Sequence, residues 1–283
     1  MKFTVLLATS LLAILVIGSA CSGLKPINVL NAVTPDVGYT VQEDIRYGAE
    51  NRQTMDLYRP DSSESGQVVV FVYGGAWRKG EKSEYKFVAQ ALASEGHTVL
   101  IPDYRLYPEV RFPDFVTDVA MAITALDELD IDSVGNKRDV VIMGHSSGAH
   151  TAAMIASDPA FLEAASAGFT VSALIGIAGP YDLPMTNPEV TDVFANIADH
   201  DTVKPVRLVT AEHPRTLLIH GADDKRVKPA HTERYFRALK ANGVAVEMVM
   251  LEGTGHAKSI AGLAAPLDKF NPIKETIQAF LEQ

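Results

Sequence analysis

Five residues, Gly144-His145-Ser146-Ser147-Gly148, stand between an apolar run, VVIM (140–143), and a helix-like stretch from Ser147 to Ala156. A serine between two glycines at a strand-to-helix turn is the pattern of a nucleophile elbow. The physics is steric. The glycines let strand and helix pack closely, and a strained turn lifts one hydroxyl out at the sheet edge. The helix that follows aims its N-terminus at the same spot, which favours a developing oxyanion. In this register Ser146 is the nucleophile, and the Ser147 N–H is one donor to the oxyanion. A Gly/Ser-rich turn without chemistry has the same letters; the strand–turn–helix setting favours the elbow.

A serine hydroxyl needs a base, and the base needs a third group to orient it. Downstream, TLLIHGADDKRVKP (216–229) ends a strand and offers Asp223 and Asp224, and VMLEGTGHAKS (249–259) ends the last strand and offers His256. His256 follows a Gly-Thr-Gly loop, an exposed position suited to a base. His150 is its rival, four residues past Ser146 on the same helical face. A base on the elbow helix would lie beneath the serine rather than beside it. The second side of an oxyanion site would come from Tyr73-Gly74-Gly75-Ala76-Trp77, the loop after VVVFVY (68–73). Glycines there let backbone N–H groups face a substrate oxygen unobstructed.

The elements that must position these groups alternate along the chain. TVQEDIRYG and QTMDLYRP read as a β-hairpin pair, and VVVFVY as a strand buried on both faces. Helix is expected over 85–94, strand over 97–102, helix over 112–128, strand over 140–143 and helix over 147–156. Strands follow at 171–179 and 216–221, then helix over 230–242 closed by Gly243, a last strand in VEMVMLEG and a last helix over 272–282. Strands alternating with helices predict an α/β fold with a mostly parallel central sheet covered on both faces. Residues 180–214, rich in Pro, Asp and Thr, break the rhythm; such an insertion would sit over the strand ends, where ligands bind.

The 283 residues are 47% hydrophobic and carry a formal net charge of -10, so a large core is available and nucleic acid is an unfavourable partner. The single cysteine, Cys21, excludes an intramolecular disulfide and a zinc site built on several cysteines. It closes MKFTVLLATSLLAILVIGSAC, which has the basic start, apolar stretch and small residues of a secretory signal peptide. Small residues before a cysteine resemble the bacterial lipobox. Residues 1–20 are therefore expected to be a lipoprotein signal peptide, Cys21 the lipidated residue, 21–38 a tether, and 39–283 the folded domain. The expected location is the bacterial cell envelope, lipid-anchored, at the outer membrane or facing the periplasm; Ser22 after the cysteine resembles outer-membrane sorting.

YGGAW, DYRLYPE (103–109), GHSSGAH, GPYDL (179–183), HGADDKRV and GTGHA stand in one order along the chain. In that order they resemble the α/β-hydrolase serine esterases. The similarity is to the carboxylesterase and hormone-sensitive-lipase-like group, in its small branch with isoprenylcysteine-methylesterase-like and kynurenine-formamidase-like members. The resemblance runs from about Asp44 to the C-terminus and implies an α/β-hydrolase fold. It implies Ser146 as nucleophile, His256 as base and, from H-G-x-x-D-x-x-V, Asp224 rather than Asp223 as acid. Gly75, Ala76 and Ser147 match the oxyanion hole. Tyr73 replaces the histidine usual at the head of H-G-G, and Ala76 replaces the third glycine of the H-G-G-G form. The implied reaction is hydrolysis of a small-molecule carboxylic ester of short acyl chain through an acyl-enzyme, with no metal and no organic cofactor. An amidase, formamidase or thioesterase with the same three residues, a long-chain lipase, and a non-catalytic binding protein of the same fold are the other readings. Oligomeric state is left open by the sequence.

Overall fold

The computed structural model describes residues 26–61, 66–129, 131, 138–265 and 267–283. The expected signal peptide and Cys21 lie outside the described residues. Among the described residues no helix is long and apolar enough to cross a membrane.

An eight-stranded sheet forms the centre. In chain order its strands are β1 (Tyr39–Arg46), β2 (Thr54–Pro60), β3 (Val68–Val72), β4 (Thr98–Pro102), β5 (Asp139–His145), β6 (Thr170–Ile177), β7 (Arg215–Gly221) and β8 (Val246–Leu251). Across the sheet the order is β1-β2-β4-β3-β5-β6-β7-β8. The β1–β2 and β2–β4 pairs are antiparallel, and β4, β3, β5, β6, β7 and β8 run parallel to one another. The fold class is α/β with a mostly parallel sheet. Every residue of β3 is buried, as its unbroken valine-rich run requires of a strand covered on both faces.

The helices are α1 (Pro26–Val33), α2 (Lys86–Ala93), α3 (Asp114–Thr124), α4 (Ser147–Ser157), α5 (Ala160–Ala164), α6 (Pro188–Thr191), α7 (Pro205–Leu208), α8 (Ala230–Ala241), α9 (Lys258–Ala261) and α10 (Ile273–Leu281). α4 is buried along almost its whole length, which explains its small residues: alanines on every side let it lie against β5, β6 and β3. The sequence signal for a helix over 112–128 resolves into α3 followed by a 3-10 turn to Glu128.

One expectation is corrected. Residues 21–38 were expected to form a tether, but α1 lies within them and packs on the domain. Ile27 and Leu30 pack against the core, the Asn31 amide donates to the Ser83 carbonyl at 2.6 Å, and its oxygen accepts from the Phe87 N–H at 3.2 Å. The physical reason is that eight residues with proline in the first turn and an apolar stripe gain more from packing on the first turn of α2 than from staying solvated.

Candidate active site

β5 ends at His145 and α4 begins at Ser147, leaving Ser146 alone to make the turn with φ 57° and ψ −125°. A left-handed backbone at a non-glycine residue costs about 1–3 kcal/mol and persists only where neighbours hold it. Here the Ser146 N–H donates to the Ile177 carbonyl at 2.9 Å, and its carbonyl accepts from the Ala149 and His150 N–H groups. The flanking glycines are required by contact. A Cβ on Gly144 would stand 2.4 Å from the Gly148 oxygen, and one on Gly148 would stand 2.1 Å from the Val72 oxygen.

Three side chains from three strand ends meet at this turn. The Ser146 hydroxyl lies 2.8 Å from His256 Nε2, and His256 Nδ1 lies 2.7 Å from Asp224 Oδ2. With Nδ1 donating to the carboxylate, Nε2 is the acceptor for the serine proton. The Asp224 carboxylate is buried; its other oxygen accepts from the Arg226 and Val227 N–H groups at 2.9 and 3.0 Å. Burial pushes this carboxyl up, but the bond and charge of His256 and the two N–H groups outweigh it, and the group titrates below its ordinary range. Asp223 is exposed, and its backbone N–H is held by the Thr254 carbonyl. His256 is steadied from behind: its carbonyl accepts from the Ser259 hydroxyl at 2.6 Å and from His145 Nε2 at 3.3 Å.

His150 stands apart. It is fully buried, its Nε2 donates to the Val203 carbonyl at 2.8 Å, and its ring meets Trp77 edge-on. Burial lowers its pKa to about 4, so it stays neutral.

The loop after β3 carries three consecutive positive φ values, 147° at Gly75, 55° at Ala76 and 58° at Trp77. It brings Ala76 and Trp77 to the wall of the cleft beside Ser146 and Ser147. The Gly75 N–H donates to the Ser147 hydroxyl at 3.0 Å, so in this structure that expected oxyanion donor already has a partner. Tyr73 holds the loop where histidine was expected. Its hydroxyl donates to Asp103 Oδ1 at 2.7 Å, and the Arg52 guanidinium donates to Tyr73 Oη at 2.8 Å and to the Gly80 carbonyl at 2.7 Å. The sequence reading missed Arg52. It sits in the β1–β2 turn, where nothing local marks an arginine as a brace for a loop beyond β3. Asp103 lay within a quoted motif, DYRLYPE, without a role.

The insertion at 180–214 does reach the strand ends. Leu183, Pro184 and Val190 line the cleft together with Trp77 and Val227, and the empty space there is about 520 Å³, part of it open solvent. At the mouth Arg226 pairs with Glu189 of α6 at 3.1 Å. Tyr181 is buried and stacked on Tyr235, and the Asp182 N–H donates to His231 Nδ1, so both shape the base of the insertion. Among the described residues no group of three His, Cys, Asp or Glu side chains is placed to hold a metal ion.

Residues 55–239 match the family described as BD-FAE. The chain belongs to the BD-FAE family. Among curated relatives of this BD-FAE member is the isoprenylcysteine alpha-carbonyl methylesterase of Arabidopsis thaliana, 29% identical over 76% of this chain and 56% of that protein. Another is the esterase LipC of Mycobacterium tuberculosis, 28% identical over 87% of this chain and 66% of that protein. The BD-FAE chain thus spans less than two thirds of the length of these relatives. Its fold matches the crystal structure of esterase B from Lactobacillus rhamnosis with a TM-score of 0.75 at 18% identity, over 97% of this chain and 94% of that one. The α/β-hydrolase architecture expected from the motifs is the one found.

Proposed function

We propose that this BD-FAE chain is a serine hydrolase of carboxylic esters, acting on short acyl groups. One observation carries the reading: the unbroken hydrogen-bond chain Ser146–His256–Asp224, with distances of 2.8 and 2.7 Å, at an elbow that opens into an apolar-walled cleft. The serine oxygen attacks the ester carbonyl as its proton passes to His256 Nε2. Asp224 holds the imidazole in the tautomer that can accept that proton and stabilises the imidazolium. The Ala76 and Ser147 N–H groups take the developing oxyanion, each worth about 3 kcal/mol of barrier. His256 then protonates the departing alcohol, and water, deprotonated by the same imidazole, hydrolyses the acyl-enzyme. The relatives named as esterases support ester cleavage. Leu183, Pro184 and Val190 line the cleft together with Ser146, and this apolar surface beside the nucleophile supports an acyl group as the part of the substrate bound there.

The test is hydrolysis of p-nitrophenyl esters from acetate to palmitate, with a matched anilide, by the protein and by Ser146→Ala. Activity confined to short esters and abolished in the variant, together with fluorophosphonate labelling of Ser146, is the expected result. A faster anilide would move the reading to an amidase. An unlabelled Ser146 with equal background in both proteins would refute it.

A further inference from the structure

We infer that the Ser147 hydroxyl is a positioning group for this reaction, a clip that holds the two sides of the oxyanion site at working distance. The inference rests on the esterase reading above. One side of that site is the Ser147 N–H, at the first residue of α4. The other is the Ala76 N–H, on the loop after β3. These sides belong to different elements, and a direct hydrogen bond between residues 72 apart in sequence crosses between them: Gly75 N–H to Ser147 Oγ at 3.0 Å.

The loop needs such a hold. Three successive residues with φ of 147°, 55° and 58° do not persist without outside support, since two of them carry a Cβ. The internal bonds of the loop, from the Arg78 and Lys79 N–H groups to the Gly75 carbonyl, close a turn without anchoring it to the sheet. Tyr73 and Arg52 fix its two ends at residues 73 and 80. Its middle is attached to α4 at two points one helical turn apart. Gly75 bonds to the Ser147 hydroxyl, and the Trp77 indole N–H donates to Thr151 Oγ1 at 3.3 Å. Thr151 in turn donates to the Ser147 carbonyl at 3.2 Å. On the far side of Ala76 the Trp77 carbonyl accepts from the Tyr107 N–H at 2.8 Å, and on the near side Gly75, whose carbonyl carbon shares a peptide plane with the Ala76 N–H, is held by the Ser147 hydroxyl.

An elbow requires only the backbone N–H of the residue after the nucleophile. A hydroxyl there, 2% exposed and accepting a loop N–H, is an addition that the elbow itself does not call for. It also commits the Gly75 N–H. Of the two expected loop-side donors, Gly75 and Ala76, this leaves the Ala76 N–H, and the Ser147 residue serves the site twice, through its N–H as donor and through its Oγ as brace.

The experiment compares Ser147→Ala and Ser147→Cys with the unaltered protein, on p-nitrophenyl acetate and on inhibition by an aliphatic trifluoromethyl ketone. The ketone adds reversibly to the serine oxygen and places a real oxyanion in the site. The alanine variant is expected to lose about 10-fold in kcat with KM changed less than about 2-fold, and to bind the ketone weaker by the same factor. The cysteine variant, whose sulfur is larger but keeps a weak acceptor, is expected to fall between. It also serves if the alanine variant does not fold. A merely structural role would lower stability without a matched loss of kcat and ketone affinity, and would overturn the inference. So would an alanine variant as fast as or faster than the parent, because the freed Gly75 N–H would then be an oxyanion donor that Ser147 restrains. If the unaltered protein neither hydrolyses the ester nor binds the ketone, it is the esterase reading that has failed, and the clip falls with it.

Discussion

Gly148→Ala is the most direct probe of how the elbow is built. The added Cβ would stand 2.1 Å from the Val72 oxygen and 2.4 Å from the Tyr73 oxygen, where real contacts of that kind are not found under 3.0 Å. Both obstacles are backbone of a fully buried strand and its exit, so neither can swing aside. α4 must therefore back away from β3 by about 0.9 Å, the difference between 3.0 and 2.1 Å. Overpacking of this size costs about 1–3 kcal/mol, so a domain of ordinary stability, about 5–15 kcal/mol, stays folded at 25 °C. The functional cost is larger. The retreat carries Ser146 and the Ser147 N–H away from Ala76, and a misplacement of about 1 Å at reacting groups costs on the order of 100-fold. Urea unfolding and kcat/KM on p-nitrophenyl acetate, measured on one preparation, separate the two effects. Gly144→Ala presses on the same junction from the strand side, with its Cβ 2.4 Å from the Gly148 oxygen, and should move in the same direction. Gly96→Ala is the control: its φ of 95° costs strain, but its Cβ meets nothing within 4 Å, so activity per folded molecule should be unchanged. A Gly148→Ala protein with kcat/KM within 2-fold of the parent would refute the steric account of the elbow.

Two further outcomes follow from the buried titratable groups. Asp224→Asn should lower kcat by about 10³- to 10⁴-fold, because the amide no longer selects the imidazole tautomer, while Asp223→Asn should change it less than about 2-fold; steady-state rates decide, and a more damaging Asp223→Asn would mean that the register at the acid is wrong. His145 and His150 are buried, which lowers their pKa values to about 3 and about 4. A histidine kept neutral in the native state binds its proton more weakly there than in the unfolded chain, whose value is about 6.5. Their contribution is therefore complete above about 6.5 and is lost as pH falls from there toward about 4 for His150 and about 3 for His145, with each costing about 2 kcal/mol by pH 5. The urea midpoint should drop clearly between pH 7.5 and 5, and an unchanged midpoint would contradict the neutral burial of both rings.

Local features of this protein are legible in the order of its residues. The steric pattern of Gly144-His145-Ser146-Ser147-Gly148, the buried run of β3 and the alternation of apolar stretches each depend on neighbours a few residues away. They sufficed to place the elbow, the parallel sheet and the insertion over the strand ends. Within the adjacent pair Asp223–Asp224, neighbours along a strand end point opposite ways, and the family motif selected the second; its side chain is the one that bonds to His256.

Contacts between groups distant along the chain were not legible there. That His150 turns to the Val203 carbonyl and not to Ser146 depends on where the insertion lies against α4. That Arg52 braces the loop after β3 depends on the β1–β2 turn standing beside residues 73–80. That the Gly75 N–H is spent on Ser147 depends on the separation of β3 and α4, which is set by the order of the strands across the sheet. Residues 26–33 show the same limit: a short amphipathic segment is marginal alone, and its contacts at the start of α2 stabilise it as a helix. Periodicity records which face of an element is apolar, but the partner that covers the face, and the atom that meets each buried polar group, are properties of the packed whole.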